Sequence, residues 1–210
     1  MAHRKNLGTL DRYLIALTPE IPATRRALLD PLVEYILQKH QANQVARLVF
    51  ICTHNSRRSH FAQVWAQVAV HHLRISRVEC FSGGTEATAC NPRTVAALER
   101  AGLTVLDNGQ AGSDNSNPVW QLAYADDAPP VLAFSKVYDQ KPNPISDFAA
   151  VMTCSQADAD CPFVAGAERR FAVTYEDPKL ADGTPEEAAV YDARCRQIAS
   201  EMLYVFQQIT

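Results

Sequence analysis

The feature that most constrains this chain is an apolar run that leads into a short polar loop beginning at a cysteine. Residues 48–51 are apolar, Cys52 follows, and Arg58 comes six positions after it. This pattern predicts a buried strand, a loop and the start of a helix. Such loops turn backbone N–H groups around a tetrahedral anion, and an arginine adds a planar donor. We therefore predict an oxyanion site at Thr53, His54, Asn55, Ser56, Arg57, Arg58 and Ser59.

Cys52 is the predicted nucleophile of this site. Helix N-termini and neighbouring arginines lower the pKa of cysteine thiols from about 8.5 to roughly 3.5–7.5. We therefore expect Cys52 to react as a thiolate at neutral pH. The pattern C-x5-R is short, and it gains specificity here from the preceding strand, from Asn55 and Ser59, and from the amphipathic segment that follows.

Composition favours an intracellular enzyme with one core. The chain has 210 residues, of which 47% are hydrophobic and 20% charged, and its net charge is −3. This balance argues against nucleic acid or an anionic membrane as partner. The first six residues lack an apolar export core, and no run approaches the roughly 18 apolar residues of a membrane span, so we expect a cytoplasmic protein. Six cysteines without C-x2-C spacing predict neither a disulfide scaffold nor structural zinc.

From Leu48 onward, strand-like and helix-like segments alternate, which predicts an α/β fold with three layers, α/β/α. We expect a four-stranded, parallel, doubly wound sheet, with strands after the first at residues 77–81, 148–153 and 170–175. Asn91-Pro92 predicts a helix start that Gly102 ends, and the run from Thr184 to Glu187 predicts a capping box.

Two further segments bear on domain organisation. Residues 1–46 form a predicted N-terminal helical extension in which Asp30-Pro31 starts a helix, and residues 47–210 form a single domain. A poorly periodic stretch at about 109–147 is predicted to be an inserted loop region with one short helix near residues 119–124.

Ligand sites of doubly wound sheets lie beyond the carboxyl ends of the strands, so distant residues can meet Cys52 there. Cys154 follows the third predicted strand, and Asp177 follows the fourth. Asp177 is a candidate general acid or base, although Asp-Pro also starts turns. Cys161 lies seven residues after Cys154, a helical rise of about 10.5 Å. A disulfide needs Cα atoms within about 4.4–6.8 Å, so these two thiols can pair only if the segment bends.

These motifs together resemble the thioredoxin-coupled arsenate reductases, which share the fold of the low-molecular-weight protein tyrosine phosphatases. The resemblance runs from about Leu48 to the C-terminus, outside the 109–147 stretch. It is carried by residues 52–59, Ser82-Gly83-Gly84-Thr85-Glu86-Ala87, Asn91-Pro92, Cys154 through Cys161-Pro162, and Asp177-Pro178.

The resemblance implies a thiol relay with no bound cofactor or metal. Cys52 would attack arsenate held by Arg58 and the loop amides, while Asp177 assists loss of oxygen. Cys154 would then attack Cys52 and release arsenite, Cys161 would take over Cys154, and thioredoxin or a similar protein would reduce the final disulfide.

Three positions depart from the family pattern. His54 replaces a common glycine and is expected to alter the loop backbone, Arg57 replaces a cysteine and adds positive charge, and Gln63 replaces an acidic residue of the family's potassium site. Two alternatives therefore stay open: a phosphomonoesterase of the tyrosine phosphatase type that forms a phosphocysteine on Cys52, and a non-catalytic oxyanion binder.

Overall fold

The computed structural model describes residues 4–17, 20–109 and 116–209. Within these ranges the α-helices are α1 Arg4–Ile15, α2 Ala23–Gln41, α3 Arg58–His72, α4 Pro92–Arg100, α5 Ser155–Asp160 and α6 Glu187–Gln207. The strands are β1 Ala46–Cys52, β2 Val78–Gly84, β3 Thr104–Asp107, β4 Trp120–Ala123, β5 Val131–Ala133, β6 Phe148–Met152 and β7 Ala167–Ala172. A 3-10 helix covers Pro178–Ala181.

The central sheet has four parallel strands in the order β2-β1-β6-β7, which confirms the predicted doubly wound arrangement. The chain passes from β1 to β2 on one side and returns to β6 on the other, so the strand order reverses between β1 and β6. The fourth strand begins three residues earlier than predicted. Its pairing still extends beyond β7, because the amides of Val173 and Tyr175 donate to Met152 and Thr153.

The two faces of the sheet pack differently. Leu48 and Phe50 of β1 point into the large core formed with α2, α3, α4 and α6. Val49 and Ile51 point to the other face, where a smaller apolar cluster includes Ala157 of α5. The fold therefore has the predicted three layers, with the thinner outer layer on the side where Cys52 and Cys154 are buried.

The N-terminal helices belong to the same core. Leu10 and Leu14 of α1 and Leu29 and Leu32 of α2 are buried against it. The predicted helix start at Asp30-Pro31 is wrong, because α2 begins at Ala23 and continues through Pro31. Proline costs a helix one hydrogen bond, and the buried side chains on both sides of Pro31 offset this loss.

The predicted helix near residues 119–124 is also wrong. Residues 120–123 form β4, the middle strand of an antiparallel sheet with β3 and β5. Both edges of β4 are thus paired, one with β3 and the other with β5, and Leu122 is fully buried. Residues 110–115 of the predicted insertion lie outside the described residues.

Of the helix ends predicted from the sequence, those of α4 are confirmed and the start of α6 is not. The Asn91 side chain accepts a hydrogen bond from the amide of Arg93, and Gly102 adopts φ +109° after α4, as predicted. The prediction of a capping box at Thr184 is wrong. Helix α6 begins at Glu187, and the Thr184 hydroxyl donates to the Ala181 carbonyl, so it does not cap the helix.

Candidate functional site

The loop of residues 53–57, called the anion loop below, joins β1 to α3. Its carbonyl groups point outward: those of Thr53, His54 and Ser56 accept from Glu86, Ser135 and Asn91 respectively. The amides of residues 54–57 have no acceptor within the described parts of the chain. With carbonyls outside and unpaired N–H groups inside, the loop has the polarity of an anion-binding nest.

The loop backbone reaches this shape at Asn55, which has φ +43° and is fully buried. His54 is not among the residues with positive φ, so a side chain is tolerated there, contrary to the expected distortion. Gly84 of β2 makes room for the loop, because a Cβ on it would lie 2.6 Å from the Thr53 carbonyl oxygen.

Cys52 lies at the base of the anion loop and is 3% exposed. Its Sγ is 3.1 Å from the Oγ of Ser59. The Nδ2 of Asn55 donates to the same oxygen at 2.8 Å, which leaves the hydroxyl proton of Ser59 free to point at the sulfur. A hydroxyl donor and the N-terminus of α3 both favour a negative charge on Cys52.

Arg58 begins α3 and reaches back across the loop. Its Nη1 donates to the Tyr175 carbonyl at 3.1 Å, and its Nη2 donates to the Asp177 carboxylate at 2.8 Å. Its Nε is buried without a partner among the described residues. One edge of the guanidinium is therefore held by protein, and an N–H group is left for an oxyanion.

Asp177 caps a turn and also contacts Arg58 of the site. Its two interpretations from the sequence, a turn start and a site carboxylate, are therefore compatible. Its Oδ1 accepts from the amide of Lys179, and its Oδ2 holds Arg58. The Nε of Arg57 donates to Tyr191 at 2.8 Å and lies 4.0 Å from Asp177 Oδ1, and its Nη2 lies 3.4 Å from Asp182. The added positive charge expected from Arg57 is thus paired with Asp182.

The structure brings Cys154 next to the anion loop. Ile51 pairs with Met152, and the Thr153 amide donates to the Ile51 carbonyl at 2.7 Å, so Cys52 and Cys154 leave adjacent strands together. Both thiols belong to one buried apolar cluster.

Cys154 and Cys161 lie at the two ends of α5. The Cys154 sulfur accepts from the Ala157 amide at 3.3 Å and lies 3.5 Å from the Thr53 hydroxyl. Cys161 is half-buried against the same cluster. Both thiols are free, with the six residues of α5 between them.

Other titratable groups lie apart from this chemistry. Burial raises the pKa of Cys80 above its usual range and that of Cys90 and Cys195 to about 12, so these thiols are poor nucleophiles. His71 contacts Asp127 at 3.0 Å, and His72 is exposed.

Gln63 donates to the Cys80 carbonyl, and its Oε1 has no partner among the described residues. In the described ranges, no three His, Cys, Asp or Glu side chains are grouped in a way that could hold a metal ion. Nor does any helix of these ranges combine the length and apolar character needed to span a bilayer.

Two residues that hold the anion loop were not predicted from the sequence. Ser135 and Lys136, from the predicted insertion, hydrogen-bond directly to His54 and Asn55 of the anion loop. They lie about 80 residues from the loop in a stretch without clear periodicity, and no local sequence signal connects them to it.

A parallel sheet with a cysteine, an amide-lined loop and an arginine at its switch point defines the low-molecular-weight phosphatase type of fold. A solved structure of a YwlE mutant from Bacillus subtilis resembles this chain with a TM-score of 0.50 and 13% identity, covering 78% of this chain and 98% of YwlE. At this identity the likeness concerns the fold.

No family model matches the chain. Among curated proteins, arsenate reductase from Bacillus licheniformis is 26% identical over 162 residues, which is 77% of this chain and 94% of the relative. Arsenate reductase from Bacillus subtilis is 26% identical over 161 residues, with the same coverage. These similarities confirm the resemblance drawn from the sequence.

Proposed function

We propose that this chain reduces arsenate to arsenite by a thiol relay through Cys52, Cys154 and Cys161. The observation that carries the proposal is the position of Cys154, buried in one cluster with Cys52 at the end of the neighbouring strand. The chemistry of ester hydrolysis does not require a second thiol there. The names of the curated relatives support the same activity.

The first step uses the anion loop. Arsenate would accept hydrogen bonds from the unpaired amides of residues 54–57 and from Arg58 Nε. The Cys52 thiolate attacks arsenic, an S–As bond forms, and one oxygen leaves as water once protonated. Asp177, which contacts Arg58 at 2.8 Å, would deliver that proton from its protonated carboxyl group.

The second step transfers two electrons to arsenic. Cys154, as a thiolate, attacks the Cys52 sulfur, an S–S bond forms, and the S–As electron pair leaves with arsenic, which becomes arsenite. The Ala157 amide and the Thr53 hydroxyl both contact the Cys154 sulfur and are suited to stabilise its charge.

The third step requires α5 to change shape. Bond formation moves the Cys154 sulfur away from the Ala157 amide, so the helix loses its N-terminal cap. A six-residue helix has little stability of its own, and its unwinding allows Cys161 to attack Cys154 and free Cys52. An external dithiol protein of the thioredoxin type would then reduce the Cys154–Cys161 bond, a cycle suited to the reducing cytoplasm.

A second candidate function is phosphomonoester hydrolysis. It is favoured by the Arg58–Asp177 pair beside Cys52, since a nucleophile, an anion-binding group and a proton donor suffice for ester cleavage. In this mechanism Cys154 would serve only to protect Cys52 from oxidation.

A coupled assay with thioredoxin, thioredoxin reductase and NADPH separates these functions. We expect arsenate-dependent NADPH consumption that Cys52→Ser, Cys154→Ser and Cys161→Ser each abolish, and that Cys195→Ser, the matched buried-thiol control, retains. Hydrolysis of p-nitrophenyl phosphate that survives Cys154→Ser, with no arsenate reduction by the wild type, would instead support the phosphatase. Anion binding without turnover in either assay would leave only a binder.

A further inference from the structure

We propose that residues 134–138, the clamp segment, position the anion loop and set the hydrogen-bond polarity that keeps Cys52 reactive. The segment lies in the predicted insertion, about 80 residues after the loop. The inference deepens the proposed function, because it concerns the same nucleophile, but it holds for either arsenate or phosphate esters.

The clamp segment is fastened to the edge of the central sheet. The Gly84 amide donates to the Lys136 carbonyl at 2.8 Å, and the Tyr138 amide donates to the Gly84 carbonyl at 3.0 Å. Val137 thus forms a parallel bridge to Gly84. Contact is close enough that a Cβ on Gly83 would lie 2.3 Å from the Tyr138 Cα. The segment therefore extends the sheet beside β2, at the end that carries the site.

Ser135 holds the outside of the anion loop. Its hydroxyl donates to the His54 carbonyl at 2.8 Å and accepts from the Thr88 amide at 2.7 Å. Ser135 is itself held by Asn117, which accepts from its amide and donates to its carbonyl. With the His54 carbonyl tied outward, the neighbouring N–H groups stay turned toward the anion position.

Lys136 acts through its backbone. Its amide donates to the Asn55 Oδ1 at 3.0 Å, inside the protein. Only an oxygen can accept there, so the Asn55 side chain cannot flip, and its Nδ2 must face Ser59. Ser59 then has its proton available for the sulfur of Cys52. Three consecutive hydrogen bonds thus connect the clamp segment to the nucleophile.

Ser135→Ala tests the clamp. The measurement is the rate of Cys52 alkylation by iodoacetamide from pH 5 to 10, followed by mass spectrometry on the tryptic peptide of residues 48–57, in which Cys52 is the single cysteine. We expect the midpoint of the pH profile to rise by about one unit, a roughly tenfold slower reaction at low pH. Loss of packing alone would leave this midpoint in place.

Ser146→Ala is the matched control, because Ser146 is exposed eight residues beyond the clamp segment and its hydroxyl donates to its chain neighbour Asp147. Asn117→Asp is a second variant, which loses the bond to the Ser135 carbonyl and should shift the midpoint in the same direction. A wild-type midpoint in both Ser135→Ala and Asn117→Asp, or an equal shift in Ser146→Ala, would overturn the proposal. The assay needs no substrate, so its outcome is independent of whether arsenate is reduced.

Discussion

At the scale of single residues, the site depends on which atom of each side chain is free. The side-chain NH2 group of Asn55 donates a hydrogen bond to the Ser59 hydroxyl. The hydroxyl proton of Ser59 is therefore available for the Cys52 sulfur. Two nitrogens of Arg58 donate to Tyr175 and Asp177, and its Nε has no partner among the residues that the structure describes. The Cys52 sulfur has a donor because of this arrangement, since the same residue types in other pairings would leave the sulfur without one.

His60 makes stability depend on pH. It is fully buried beside Ser82, and burial, with a contribution from the Lys136 charge, lowers its pKa from 6.5 to about 3. Between these two values the unfolded chain binds the proton and the folded chain does not, so the free energy of unfolding falls as pH drops below 6.5. At pH 5 we expect this histidine to cost about 2 kcal/mol.

The measurement is urea unfolding of wild type and His60→Gln at pH 7 and pH 5. The loss of stability on acidification should be smaller in the variant by roughly that amount, whereas exposed His72→Gln, as the control, should behave as wild type. Equal losses in wild type and His60→Gln would contradict the prediction.

At the scale of elements, α5 is short and is held at both ends. The Cys154 sulfur caps its start, and Arg170 of β7 donates to the carbonyls of Asp158 and Cys161 near its end. These bonds oppose the bending that a Cys154–Cys161 disulfide requires. We infer that β7 restrains α5 until the relay reaches it.

Arg170→Met removes that restraint. We expect oxidation by diamide to form the Cys154–Cys161 disulfide about fivefold to thirtyfold faster than in wild type, since one or two hydrogen bonds of about 1 kcal/mol each no longer oppose bending. Quenched samples analysed by peptide mass spectrometry give the rate. Arg169→Met is the control, because Arg169 lies against the Phe171 ring, and it should leave the rate unchanged. A slower or equal rate in Arg170→Met would show that Arg170 does not restrain α5.

At the scale of the whole molecule, the N-terminal helices are tied to the part of the chain that carries the site. Arg25 of α2 bonds to Glu201 of α6 and to the Thr174 carbonyl, three residues before Asp177. Glu201 is only 2% exposed. We propose that residues 1–46 are a helical extension that shares its core with a single domain at residues 47–210.

Arg25→Met tests this connection. The change leaves the Glu201 carboxylate buried without its cation, and breaking a buried ion pair in this way costs about 3–5 kcal/mol. Arg47→Met, which breaks an exposed pair with Glu79, should cost less than about 1 kcal/mol. Both losses can be read from urea unfolding at pH 7. Similar small losses in the two variants would mean that the extension contributes little to the fold.

Local signals in the sequence were enough to predict several parts of this molecule. The apolar run before Cys52 gave β1, and Asn91-Pro92 gave the start of α4. Each depends on neighbours within a few positions, through side-chain periodicity, a cap or a fixed φ. The same local signals misled at Pro31, where packing of the surrounding helix prevailed over a helix-breaking residue.

The sequence by itself determined the strand that ends at Cys52, the loop that follows it and the parallel arrangement of the central sheet. Only the tertiary structure decided that residues 120–123 are a strand, that Arg57 faces Asp182, and that Ser135 and Lys136 hold the anion loop. The physical reason is the range of the interactions. Capping and periodicity act between near neighbours, whereas strand pairing and buried hydrogen bonds form between segments that meet only when the chain folds.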